Sequence, residues 1–198
     1  AADSEGNTLL MHAVLSKDKG MAQAVLGHCP DLAMVNHQGE TALMLAVQTG
    51  QHALAKQLLT LGADIGVAND DGETALMLAV GQGSVDMIKI LSDAGAIAAD
   101  VRGDSHNSAL VMAMNEGEAG VQKAMLLAYL RHSHLLAECS SYPDAIDSIL
   151  NHARDQVVDL LYAGDHGYRG QDAISFYRKL LHRSHAMGRV VAANDEGQ

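Results

Sequence analysis

Nine consecutive residues, Gly39-Glu-Thr-Ala-Leu-Met-Leu-Ala-Val47, recur letter for letter at Gly72–Val80, 33 positions on (39 to 72). One period earlier, Gly6-Asn-Thr-Leu-Leu-Met-His-Ala-Val14 matches at Gly, Thr, Leu, Met, Ala and Val. One period later the frame slips by a residue, leaving Ser108-Ala-Leu-Val-Met-Ala113. The second halves repeat as well. Leu58-Leu59…Gly62-Ala63-Asp64 aligns with Leu91…Gly95-Ala96, and more loosely with Val25-Leu26…Asp31. A period of this size marks one small unit that cannot bury its own apolar face and does so by stacking on copies of itself.

The residue types suit a pair of short helices in each unit. Gly39 and Gly72 allow a tight turn into the first helix. Thr8, Thr41, Thr74 and Ser108 suit the N-cap, where a hydroxyl accepts a backbone N–H that has no helical partner. Ala46 and Ala79 let helices of adjacent units approach closely. Leu43, Leu58, Leu76 and Leu91 fill the layer between paired helices. Gly50 and Gly83 end the first helix, and Gly62 and Gly95 fit the left-handed position that ends the second. Composition agrees: apolar residues make up 48% of the chain but aromatics only 3%, with two prolines. Ala, Leu and Met must do the packing, which favours stacked helices over an aromatic-rich sandwich.

With the letters and the spacing in agreement, the unit resembles the ankyrin repeat over about residues 4–130. The resemblance implies an all-α solenoid of helix–turn–helix repeats joined by β-hairpin-like loops. The expected units are 6–38, 39–71, 72–104 and a degenerate 105–137, within a repeat region of 1–130 and followed by a helical C-terminal cap over 138–198. There are departures. The family's Pro is Leu9, Ala42, Ala75 and Ala109, and its His is Met11, Met44, Met77 and Val111. That His joins neighbouring loops by hydrogen bonds in the family. Met is expected to pack there instead, with the loop tips held less firmly.

The resemblance also implies a use, binding another protein through the loop tips and the exposed side of each first helix, which line a concave face. Carried over by repeat position, these residues are His37, Gln38, Glu40, Gln48 and Thr49 in the second unit. In the third they are Asp70, Asp71, Glu73, Gly81 and Gln82, and in the fourth Asp104, Ser105, Asn107, Asn115 and Glu116. Asp70, Asp71, Glu73 and Asp104 make this face acidic, so the expected partner carries a basic patch.

The chain as a whole holds 13 Lys and Arg against 24 Asp and Glu, a net charge of −11. Residues 1–117 carry 5 and 14 of these, and residues 118–198 carry 8 and 10. Such an excess repels phosphate backbones, and nucleic acid is not an expected partner. No apolar run approaches the roughly 20 residues that span a bilayer, so no membrane role is expected. Cys29 and Cys139, both in apolar helical contexts, are read as free thiols in a reducing, cytoplasmic setting. The chain opens on Ala1 rather than Met, which reads as a processed protein or a fragment.

No catalytic arrangement stands out. There is no G-x-S-x-G, H-E-x-x-H, P-loop or G-x-G-x-x-G, and no cofactor is expected. From residue 121 the chain reads as further helices, one over 121–137, one running from Pro143 to Leu161 and one from Ala173 to His185. His132, His134, His152, His166, His182 and His185 gather there, and the last two, at i and i+3, have a spacing that can share a metal. Without a carboxylate or Cys at a diagnostic spacing, scattered imidazoles are the simpler reading. Arg178, Lys179, Arg183 and Arg189 form a basic stretch with no acid between Asp172 and Asp195. In size and arrangement, an ankyrin block followed by short helices, the chain also resembles the C-terminal domain of OspC-type effectors secreted by bacterial pathogens. That resemblance implies an NAD-using, calmodulin-activated catalytic domain outside this chain that modifies host caspases in the host cytosol, with the repeats selecting the caspase.

Overall fold

A computed structural model describes residues 2–102 and 109–131. The helices expected after Pro143, the histidines from His132 onward, the Arg178–Arg189 stretch and Cys139 lie outside these residues. So do three of the expected partner-binding residues, Asp104, Ser105 and Asn107. The chain divides into two compact units, the first ending at Asp100 and the second beginning at Val101.

In the first unit, three helical hairpins follow one another: α1 (Leu9–Leu15) with α2 (Lys19–Leu26), α3 (Ala42–Gln48) with α4 (His52–Thr60), and α5 (Ala75–Gly81) with α6 (Val85–Asp93). α3 packs against α1 on one side and α5 on the other, and α4 packs against α6. Inner helices thus form one layer and outer helices a second. The expected fillers sit between them: Leu43, Leu58, Leu76 and Leu91 are all 1% exposed or less. Burying a side chain of this size contributes about 2 kcal/mol before the cost of ordering it. Ala46 and Ala79 are fully buried, as close helix approach requires.

The helix starts follow the threonines. The Oγ1 atoms of Thr8, Thr41 and Thr74 accept from the backbone N–H of Met11, Met44 and Met77 at 3.3, 3.3 and 3.4 Å. Each such cap is worth about 1 kcal/mol. The methionines are buried, as expected, but two of them also do something the sequence reading did not foresee. The thioether sulfurs of Met11 and Met77 lie 3.4 and 3.5 Å from the N–H of Thr8 and Thr74. Each sulfur accepts weakly from the cap residue that caps it, completing a reciprocal box in which sulfur takes the usual place of a carboxylate.

Between units the chain returns through a narrow loop closed by isolated antiparallel bridges, Ala2 with Thr8, Val35 with Thr41 and Ala68 with Thr74. These are the hairpin-like loops that the repeat implied. The end of the third repeat departs from the pattern. Residues Ala96–Arg102 form a helix, α7, where the earlier repeats have an irregular connection. At the equivalent positions Asp31 and Asp64 turn the chain locally, their Oδ1 atoms accepting from the N–H of Ala33 at 3.0 Å and Gly66 at 2.9 Å. Ile97 replaces that Asp, so it has no side-chain acceptor and is itself fully buried. Ala99 replaces Gly66, which removes a helix-breaking residue.

The second unit, among its described residues, is one hairpin, α8 (Ala109–Glu116) against α9 (Ala119–Arg131). Leu110, Ala113, Val121, Met125, Leu126 and Tyr129 are buried there.

Candidate functional site: the loop tips and inner-helix ends

Each tip is built on one side chain that the sequence reading passed over. Asn36 Oδ1 accepts from the N–H of Gln38 at 3.1 Å and Glu40 at 2.8 Å. Asn69 Oδ1 does the same for Asp71 and Glu73, at 3.1 and 2.8 Å. In the first repeat Asp3 takes the position, accepting from Glu5 at 2.9 Å and Asn7 at 2.7 Å. The signal was available, since Asn36 and Asn69 stand one period apart. Asp3 also pairs with His12 at 2.7 Å. Partial desolvation works to raise the Asp3 pKa, but the Asn7 N–H and side chain, the Glu5 N–H and His12 together outweigh it and hold the carboxyl below its ordinary value.

Tips are joined to one another through backbone. The N–H of His37 donates to the Glu5 carbonyl at 2.9 Å, and the N–H of Asp70 donates to the Gln38 carbonyl at 3.0 Å. With Met in place of the family's His, the tips are therefore still bonded in series. Close approach depends on glycine. Gly39 has φ +74°, and a Cβ added there would fall 2.9 Å from the Asp70 backbone N and 2.7 Å from its carboxylate. Asn36 adds a link between repeats, its Nδ2 donating to Asn7 Oδ1 at 3.3 Å.

Of the expected binding residues, His37, Gln38, Asp70 and Asp71 stand exposed on successive tips. Gln48, Gly81 and Gln82 are exposed at the ends of α3 and α5, while Thr49, Glu40 and Glu73 are half-buried. Some of these groups are already engaged inside the molecule. Glu40 accepts from Gln48 Nε2 at 2.6 Å and from Asn36 Nδ2 at 3.0 Å. Glu73 accepts from Asn69 at 3.4 Å. Thr49 Oγ1 donates to the Leu45 carbonyl, and Gln82 Nε2 donates to the Gln48 carbonyl at 3.0 Å. Glu40, Glu73 and Thr49 therefore brace the surface, and Asp70 and Asp71 project from it. Asn115 and Glu116 fall within α8 in the second unit.

The cations are confined to one layer, while acids occur in both, Asp86 and Asp93 lying on α6. Between residues 2 and 100 the cations of Lys and Arg type are Lys17, Lys19, Lys56 and Lys89. Lys19, Lys56 and Lys89 lie on the outer helices α2, α4 and α6, and Lys17 in the turn leading to α2. The tips and inner helices of this unit carry Asp3, Glu5, Glu40, Asp70, Asp71 and Glu73 with no Lys or Arg. Among the described residues no group of three or more His, Cys, Asp or Glu is placed to hold a metal ion. No helix among them is long and apolar enough to cross a membrane.

Cys29 differs from its sequence reading. It lies beyond the end of α2, exposed, and takes a left-handed φ of +51° where later repeats have Gly62 and Gly95. An apolar helical context is not what surrounds it.

Comparison with known proteins agrees with this geometry. A family model for ankyrin repeats (3 copies) matches residues 1–69 and again 50–132. No curated protein matches the chain. A solved ankyrin repeat domain from Acinetobacter baumannii is 26% identical, with 65% of this chain and 67% of that one covered and a TM-score of 0.58. Neither match speaks of an effector or a caspase. The repeated helical hairpins, the bridged tips and the extent of the family match together mean that this chain belongs to the ankyrin-repeat family.

Proposed function

We propose that the chain recognises a protein bearing a basic patch, and does so through the tips and inner-helix ends of the second and third repeats. Ankyrin repeats are in general protein–protein interaction modules. The observation that carries the finer reading is the confinement of the cations, with every Lys of the first unit on or beside the outer helices, while Asp70 and Asp71 stand exposed at a tip that holds no Lys or Arg. Such a field speeds encounter and selects partners, while affinity comes from a few desolvated contacts. The adjoining Gln38, exposed on the second tip, offers an amide that can bond a partner's backbone.

The test is a double charge reversal, Asp70→Lys with Asp71→Lys. Both residues are exposed, so the fold should be kept, as circular dichroism can verify. A partner captured by the unaltered chain should bind the reversed chain at least tenfold more weakly, and the salt dependence of its association should flatten. Unchanged affinity and unchanged salt dependence would refute the reading.

A further inference from the structure

The second and third repeats share a run of identical letters and then part. Gly39–Val47 and Gly72–Val80 are the same, and the next residue is Gln48 in one and Gly81 in the other. These two residues close the inner helices α3 and α5. Within the copied run, Glu40 and Glu73 hold the same place, and both are half-buried. One side chain therefore decides what lies over a carboxylate whose frame is otherwise constant.

At Glu40 both carboxylate oxygens are engaged. Oε2 accepts from Asn36 Nδ2 at 3.0 Å, and Oε1 accepts from Gln48 Nε2 at 2.6 Å. At Glu73, Oε2 accepts from Asn69 Nδ2 at 3.4 Å, a longer bond. Gly81 has no amide to send to the other oxygen, and among the described residues nothing donates to Oε1. The neighbouring Gln82 is engaged elsewhere, its Nε2 donating to the Gln48 carbonyl at 3.0 Å. The Lys residues of this unit lie on or beside the outer helices, away from the tips. A half-buried carboxylate with one oxygen unbonded gains more from a charged donor than a fully solvated one does.

We infer that Glu73, left open by Gly81, is the subsite for one arginine side chain of the partner. This rests on the reading of the tips as the contact for a basic protein, and it gives that contact a single anchoring point. The occupant follows from the second repeat, where a planar amide donates to the equivalent oxygen. A guanidinium is planar too, carries parallel N–H donors and a full charge, and matches a carboxylate better than the compact ammonium of lysine. Gln48 acts as a built-in plug over Glu40, so the second repeat is closed to the side chain that the third accepts.

Replacements that leave the net charge untouched test this, because they separate the subsite from the general field of an acidic chain. A dye-labelled tetra-arginine peptide is titrated into the full chain and followed by fluorescence anisotropy, with tetra-lysine beside it. The arginine peptide should bind about threefold tighter than the lysine peptide. Gly81→Gln supplies the plug and puts a better helix former at the end of α5, so the fold should be kept. It should weaken arginine binding about five- to tenfold and remove the preference over lysine. Gln48→Ala uncovers Glu40 and should tighten arginine binding about twofold by opening a second carboxylate. Unchanged binding in Gly81→Gln would overturn the inference, as would equal binding of the two peptides by the unaltered chain or no gain in Gln48→Ala. The Asp70→Lys and Asp71→Lys reversal then tells the two readings apart. If it weakens the arginine peptide where Gly81→Gln does not, the acidic tip is a contact and only the subsite falls; if neither has an effect, both readings fall.

Discussion

The connections that leave the second and third repeats start from the same frame and end differently. After Gly62 the chain turns on Asp64, runs to the Ala68–Thr74 bridge and delivers Asp70 to a tip. After Gly95 it coils into α7. The preceding helices, α4 and α6, hold the same place in the repeat and each is followed by a left-handed glycine, so the divergence begins in the residues after Gly62 and Gly95. An acceptor side chain at Asp64 competes for backbone N–H groups and favours a turn, whereas Ile97 can only be buried, and helix with a fully buried Ile97 is what results. A repeat protein can therefore change its connection while the helix before it keeps its place in the repeat.

That contrast can be broken most severely at Ile97. Ile97→Asp restores the turn-forming residue but places a charge at a fully buried position. If burial of Ile97 anchors α7, urea denaturation should show a loss of about 3–5 kcal/mol. A loss below about 1 kcal/mol would mean that α7 is not held through this side chain. Gly39→Ala attacks the opposite arm, the tip that Asp70 must approach. Its positive φ and the Asp70 backbone at 2.9 Å predict a loss of about 2–3 kcal/mol in the same measurement. The finest probe is Asp64→Ala, which removes the acceptor for the Gly66 N–H. A loss of about 0.5–1 kcal/mol is expected, with faster exchange of the Gly66 amide, and no effect would exclude the local turn as the cause of the divergence.

The inner helices were legible because their letters carry geometry directly. Thr8, Thr41 and Thr74 cap, Leu43 and Leu76 fill, and Gly50 and Gly83 take up positive φ, each for a reason that holds in any context. The tips were legible as positions but not as a construction. Asn36 and Asn69 repeat at the same period as the helix motif, yet their role depends on which N–H groups lie within reach of one amide oxygen, and spacing alone does not say that. The Met11 and Met77 sulfurs were missed because thioethers are read as packing groups first. α7 was missed because the repeat frame carried the eye across Ile97, although the loss of Asp at that position was visible. Cys29 was wrongly assigned an apolar helical setting, since the residues beside it in the sequence do not say on which side of the helix end it emerges. Which binding residues brace and which project, Glu40 against Asp71 for example, follows from side-chain bonding that no alignment of repeats displays.

The confinement of Lys17, Lys19, Lys56 and Lys89 to the outer layer and its turn has a practical side. Reagents that couple to primary amines would modify the lysine side chains of the first unit on its back, and the tips built on Asn36 and Asn69 hold no lysine for such a reagent to reach.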